Sequence, residues 1–178
     1  MKTKTENMMF VMIDIQEKLL HLIAENQEVI KNANILNKAS EIFGIPLLVT
    51  EQYKKGLGET VSEIKIGKDA IYAEKTSFSI FDEKISELLK KSGKKVLVMY
   101  GIEAHICVLQ SVLDALAEDY EVYLVTDAVS SRKLYNKEAA LDRMLDYGAE
   151  LVTTEMLLFE ILGDSSHPSF REISKLIK

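Results

Sequence analysis

Lys95-Val96-Leu97-Val98-Met99-Tyr100 is an almost unbroken apolar run, and Gly101-Ile102-Glu103-Ala104-His105-Ile106-Cys107 follows it with no linker between. A strand that is apolar at successive positions is buried on both faces, as in a parallel sheet covered by crossover helices. Ile106, Leu109, Val112, Leu113 and Leu116 then recur at helical spacing, so the segment passes from strand through a short corner into an amphipathic helix.

The same alternation extends in both directions. Met8-Met9-Phe10-Val11-Met12-Ile13, Pro46-Leu47-Leu48-Val49-Thr50 and Glu121-Val122-Tyr123-Leu124-Val125-Thr126 are further candidate strands. Ala70-Ile71-Tyr72-Ala73 and Ala149-Glu150-Leu151-Val152-Thr153 are weaker ones. Between them lie helical stripes. One is Val29, Ile30, Ala33, Leu36, Ala39 and Phe43, stopped by Gly44 and Pro46; another is Ile85, Leu88 and Leu89, ending at Ser92-Gly93. Ala139, Ala140, Met144 and Leu145 form a third, closed by Tyr147-Gly148, and Phe170, Ile173, Leu176 and Ile177 mark the tail. Strands alternating with helices predict right-handed βαβ units and a three-layer αβα sandwich. No linker or repeat interrupts the pattern, so residues 1–178 read as one domain.

Composition narrows the function classes. The 178 residues are 47% hydrophobic and 28% charged, a soluble globular balance. Twenty-two basic residues face 28 acidic ones, for a net charge of −6. Nucleic-acid binding draws on clustered Lys and Arg, and the densest cluster, Lys90-Lys91-Ser92-Gly93-Lys94-Lys95, reads as a solvated helix end and turn. Nucleic acid is therefore not the expected partner. One cysteine excludes an internal disulfide and a Cys-rich zinc site, and fits a reducing compartment. The stretch Met1 to Asn7 is polar, and the apolar run after it is cut short by Asp14, too soon for a signal h-region or a membrane span. The expected location is the cytoplasm, with no membrane partner.

In open parallel sheets, ligands gather beyond the carboxyl ends of the strands. The residues there are Asp14-Ile15-Gln16, Glu51-Gln52-Tyr53, Glu74-Lys75-Thr76-Ser77-Phe78, Gly101 to Cys107, and Asp127. Cys107 stands where a helix follows a strand, and unpaired N–H groups at a helix start favour a thiolate, the nucleophilic form. It also reads as a small buried hydrophobe. Asp14 is placed to exchange a proton with that thiol, or simply to cap the helix holding Gln16, Glu17, Leu19 and Leu20. Lys75 would stabilise both anions, or be a surface lysine. Nucleophile, base and cation at neighbouring strand ends meet the requirements of covalent catalysis.

These contexts, Ile13-Asp14-Ile15-Gln16, Glu74-Lys75-Thr76-Ser77-Phe78 and Gly101-Ile102-Glu103-Ala104-His105-Ile106-Cys107-Val108, resemble in order and type the isochorismatase-like cysteine hydrolases, above all their small stand-alone members. Glu51-Gln52-Tyr53 with Gly56-Leu57-Gly58, Asp127 with Ser130-Ser131-Arg132, and Gly163-Asp164 with His167-Pro168 extend the likeness over nearly the whole chain. The resemblance implies a six-stranded parallel sheet of order 3-2-1-4-5-6 and a catalytic triad of Asp14, Lys75 and Cys107. It also implies a cis peptide at Ile102–Glu103 and an oxyanion hole formed by the backbone N–H groups of Glu103 and Cys107. The implied reaction is cleavage of a C–N bond, amide or ureido, in a small molecule through a thioester on Cys107.

The departures are informative. Nicotinamidases of this family carry an Asp-x-His metal motif after the second strand. Here Glu51 and Tyr53 stand near those positions with no histidine close by, so no metal is expected. Cleaving a vinyl ether by protonation needs no cysteine, so Cys107 argues against isochorismate as substrate. Gln16, Tyr53, Phe78 and His105 are the expected substrate-binding residues, on loops at the strand ends. His21 and His167 read as surface. Gly56-x-Gly58 is too short for a phosphate loop, and no cofactor is expected. A homo-oligomer is expected, with the tail helix stripe and Met156-Leu157-Leu158-Phe159 read either as contacts between copies or, at least as readily, as helices packing on the chain's own sheet. Two readings stay beside the hydrolase. One is an interaction or scaffold protein on the same fold with weak or no catalysis; the other is a flavodoxin-like nucleotide binder.

Overall fold

The structure is a computed structural model and describes residues 5–178; Met1 to Lys4 of the polar N-terminal stretch lie outside the described residues. Six strands form one parallel sheet: β1 (Met8–Ile13), β2 (Leu47–Gln52), β3 (Ile71–Lys75), β4 (Val96–Ile102), β5 (Glu121–Ser130) and β6 (Glu150–Val152). Their order is β3-β2-β1-β4-β5-β6, as the resemblance implied. The central strands β1 and β4 are buried at every position, which is why both read as unbroken apolar runs. Each fully buried aliphatic side chain contributes roughly 1.5–3 kcal/mol over its exposed state.

Right-handed crossovers place the helices on both faces. Helix α1 (Glu17–Leu20) and helix α3 (Lys54–Leu57) are single turns after β1 and β2. Helix α2 (Asn26–Phe43) ends at Gly44, whose φ of 66° takes the left-handed conformation of a helix stop. It packs on one face of the sheet with α7 (Thr154–Leu162) and α8 (Phe170–Leu176), through Ile35, Ala39, Leu158, Leu162 and Ile173. On the other face lie α4 (Glu83–Ser92), α5 (Leu109–Ala117) and α6 (Leu134–Asp146). The Tyr100 hydroxyl donates to Asn37 Oδ1 at 2.6 Å, and Asn37 donates to Lys65 O at 2.9 Å, pinning α2 to β4 and to the loop before β3.

Several sequence expectations shift. Strand β5 runs on to Ser130, so Asp127 lies inside it rather than after it. The Asp127 carboxylate accepts from the N–H and the hydroxyl of Thr154, at 2.8 and 2.9 Å, and so fastens the start of α7. Of the two readings of the tail stripe, packing inside the chain is the one met: Ile173 is fully buried, with Phe170, Leu176 and Ile177 against the α2–α7 cluster. Met156-Leu157-Leu158-Phe159 divides between the two uses. Leu157 and Leu158 are buried, whereas Met156 and Phe159 are exposed.

The ladder between β4 and β5 slips between Met99 and Gly101. Gly101 has φ 128°, and a Cβ there would collide with the Ile13 carbonyl oxygen. Only glycine lets β4 pass this close to the end of β1, one residue before Asp14. Gly101→Ala is expected to lower stability by at least about 2 kcal/mol, read as a drop in the urea midpoint at unchanged m-value.

Candidate active site

Asp14, the residue after β1, is fully buried and has φ 53°. This left-handed conformation is one that Asp tolerates better than most side chains. The expectation that Asp14 caps the following helix is not met: Gln16 occupies the N-cap position of α1. The Asp14 carboxylate instead meets neighbouring strands. Thr50 donates its hydroxyl to Oδ1 at 2.7 Å, and Lys75 donates from Nζ to Oδ2 at 2.6 Å.

Lys75 ends β3 with a side chain that is 0% exposed, so it is no surface lysine. Its ammonium has three N–H bonds and four acceptors: Asp14 Oδ2, Gln52 Oε1 at 2.8 Å, Phe78 O at 2.9 Å and Ser77 O at 3.2 Å. An ion pair this deep is tolerable only when its remaining hydrogen-bonding capacity is satisfied, and here it is. Gln52 is in turn fixed through its own backbone. Gln16 Oε1 accepts from Gln52 N–H at 2.7 Å, and Gln16 Nε2 donates to Gln52 O at 3.1 Å and to Gly58 O at 2.7 Å.

Cys107 lies in a five-residue π-helical turn, Ala104–Val108, before α5 begins. Sequence periodicity runs through this turn as if it were ordinary α-helix. The Ile102–Glu103 peptide before it is cis. The Glu103 carbonyl accepts from the N–H groups of Ile106, at 3.0 Å, and Val108, at 3.2 Å, the two residues flanking Cys107. Ser111 donates to the Cys107 carbonyl at 2.6 Å and accepts from Ile80 N–H at 3.0 Å, tying the turn to the loop after β3.

Cys107 is 6% exposed, and the Asp14 carboxylate acts on its thiol. Burial, the Asp14 charge, the hydrogen bond to Asp14 and the Glu103 charge all push its pKa up, with Lys75 alone pulling down, and the result is about 12. This corrects the expectation of a thiol acidified by a helix start. Desolvation and two carboxylates outweigh one ammonium already saturated with acceptors. The surroundings of the group thus favour S–H over the thiolate.

The remaining expected site residues divide. Tyr53 and Phe78 are 52% and 53% exposed, and both are fixed by backbone bonds to Lys75: Tyr53 N–H donates to Lys75 O at 2.8 Å, and Phe78 O accepts from Nζ. His105 is partly buried, its Nδ1 2.9 Å from Ser131 Oγ and its Nε2 3.5 Å from Asn136 Nδ2. Gln16 is fully buried with both amide N–H bonds committed to carbonyls. This corrects its expected place against substrate, because it clamps backbone. Glu103 turns its carboxylate to Arg132, accepting at Oε2 from the backbone N–H at 3.2 Å and from Nε at 3.1 Å.

Sequence reasoning did not single out Thr50, Gln52, Ser131 or Arg132 individually. A usable signal was present for two of them: Thr50 and Gln52 are polar, two apart at the end of an apolar strand, and so share one face. Glu51 points the other way. Burial pushes its carboxyl up, but hydrogen bonds from Thr60 and Lys54 prevail and hold it below the usual value. Among the described residues, no three His, Cys, Asp or Glu side chains are grouped to hold a metal ion, and no helix is long and apolar enough to cross a membrane. A groove of about 550 Å³ lies among Ser40, Pro46, Gly67 and Asp69, before β2 and β3, at the opposite edge of the sheet from Cys107.

Comparison with known proteins matches residues 8–156 to the isochorismatase domain. The chain is 38% identical over 178 residues to isochorismatase domain-containing protein 2 of Danio rerio, covering 99% of this chain and 89% of that one. It is 38% identical over 170 residues to isochorismatase domain-containing protein 1 of Salmo salar, covering 95% of this chain but only 60% of the relative's length. Among solved structures, the MAR1 ribonuclease of Caenorhabditis elegans superposes with a TM-score of 0.94 at 37% identity, over 99% of this chain and 92% of that one.

Lys75→Met would leave the Asp14 carboxylate buried without its cation. A loss of roughly 3–5 kcal/mol is expected, measurable as a lowered urea midpoint. In whatever fraction stays folded, the Cys107 thiol moves further up, because Lys75 is the group that pulls it down.

Proposed function

The chain belongs to the isochorismatase domain family, and from that premise we propose that it is a cysteine hydrolase, cleaving an amide or ureido C–N bond of a small molecule. The observation that carries this reading is the buried Asp14–Lys75 pair at 2.6 Å, with the sole cysteine of the chain buried where both charges act on its thiol. As the thiol attacks the carbonyl carbon, its proton passes to Asp14. The new oxyanion is received by the N–H groups of Glu103 and Cys107. Collapse expels the amine, which takes the proton from Asp14, and leaves a thioester. Asp14 then deprotonates a water, which attacks the thioester; the acid departs and the thiol is restored. Lys75 donates nothing to substrate in this scheme. With its N–H bonds committed, it acts through its charge and holds the Asp14 carboxylate in place through both steps. Tyr53, Phe78 and His105 line the approach, and neither metal nor cofactor takes part.

The related structure named as a ribonuclease raises RNA as a substrate. A net charge of −6 and a site with two carboxylates near the thiol weigh against a polyanion here. A scaffold role without catalysis is the competing reading; it gives no reason to bury three mutually satisfied chemical groups. We take residues 1–178 as one hydrolase domain, working in the cytoplasm where a lone thiol stays reduced. Exposed Leu134, Tyr135, Leu145 and Tyr147 of α6 and its flank, with Met156 and Phe159 of α7, make it a homo-oligomer in this proposal, a state that sedimentation velocity reads directly.

Cys107→Ala is expected to abolish hydrolysis across a panel of amides, ureides and esters while the circular dichroism spectrum is retained; equal turnover by both proteins would favour the scaffold. Asp14→Asn separates the role of base from that of bystander charge. Losing the carboxylate lowers the thiol's own pKa, so a bystander predicts faster iodoacetamide labelling at pH 7.5. A base predicts labelling at least about tenfold slower, and the slower result is expected.

A further inference from the structure

The charges around Cys107 are unevenly available. Among the described residues, the two carboxylates acting on the thiol are each held by a cation: Asp14 by Lys75 at 2.6 Å and Glu103 by Arg132 at 3.1 Å. Lys75 is spent: its three N–H bonds face four acceptors, and its side chain is fully buried. The next cation, Arg132, is drawn to Glu103 Oε2 by both its backbone N–H and its Nε. His105 engages Ser131 and Asn136, with Glu103 Oε2 4.0 Å from its Nδ1. The residues whose backbones are bonded to Lys75 and whose side chains are open to solvent are Ser77 and two aromatics, Tyr53 and Phe78.

We infer that the substrate is uncharged around its scissile carbonyl, a neutral amide or ureide whose flat or apolar portion rests on Tyr53 and Phe78, and not an amide flanked by a carboxylate. The inference rests on the hydrolase reading and names the substrate class for the same thiol. The reason is electrostatic. A carboxylate next to the reacting carbon finds both nearby cations already paired, Lys75 with Asp14 and Arg132 with Glu103, and gains a partner only by displacing one of those carboxylates. A neutral amide loses nothing by burial there, provided its oxygen reaches the backbone N–H donors.

Two alkylating reagents of nearly equal size test this on the intact protein, because Cys107 is the only cysteine and mass spectrometry reads its modification directly. Iodoacetamide is neutral and iodoacetate is an anion. The ratio of their labelling rates at Cys107 is expected to exceed the ratio for free cysteine in the same buffer by about tenfold or more. Glu103→Gln should bring the ratio down toward the free-cysteine value. Should that variant fail to fold, Arg132→Gln, at a half-exposed side chain, should raise the ratio by freeing the Glu103 charge. A wild-type ratio no larger than that of free cysteine would overturn the neutral-substrate assignment while leaving the nucleophile intact. So would an unchanged ratio in folded Glu103→Gln, or a lowered one in Arg132→Gln. Labelling by neither reagent would sink the nucleophile, and the substrate class with it.

Discussion

A carboxylate and an ammonium, both with side chains wholly removed from solvent, sit 2.6 Å apart at the centre of the sheet's carboxyl edge. Desolvating two charges costs several kcal/mol each, so such a pair persists only where the surrounding groups complete its hydrogen bonding. Everything around it serves that condition. Strand β2 supplies Thr50 to the carboxylate and Gln52 to the ammonium, two residues apart on one face. The loop after β3 turns back to offer the carbonyls of Ser77 and Phe78. Gln16 locks the backbone of Gln52 from the segment after β1. Three strands and their loops are thus held in register by one buried pair.

The chemistry of Cys107 follows from that pair rather than from its place near a helix start. The π-helical turn brings the thiol to Asp14, and the same proximity that supplies a proton acceptor also raises the energy of the thiolate. A permanently ionised thiolate and a thiol bonded to a buried carboxylate are different solutions to nucleophilic attack. The first depends on a depressed pKa, the second on proton transfer during the reaction. In the proposed hydrolase, burial and two nearby carboxylates favour the second.

The order of elements along the chain was readable because period and composition are local. Unbroken apolar runs at Met8–Ile13 and Val96–Ile102 could only be strands covered on both faces, and the 3.6-residue stripes between strands could only lie over a sheet. The resemblance added the strand order and pointed to Asp14, Lys75 and Cys107. What was misread was decided by contacts. Asp127 belongs to β5, where its carboxylate meets Thr154, and Gln16 faces backbone because Gln52 and Gly58 lie beside it; of the two readings open for the tail stripe, α2 and α7 decide for internal packing.

By itself, the sequence determined which residue types stand at the strand ends, since alternation of apolar runs and amphipathic stretches is written in consecutive residues. Tertiary structure alone decided who partners whom. Lys75 is 61 residues from Asp14 along the chain, and Gln52 is 36 from Gln16. Whether an ammonium is free or saturated, and whether a thiol is acidified or suppressed, depends on distances of a few ångströms between groups that no local pattern connects. Coulomb energies and desolvation change steeply over such distances, so the electrostatic character of the site arises only when the sheet is assembled.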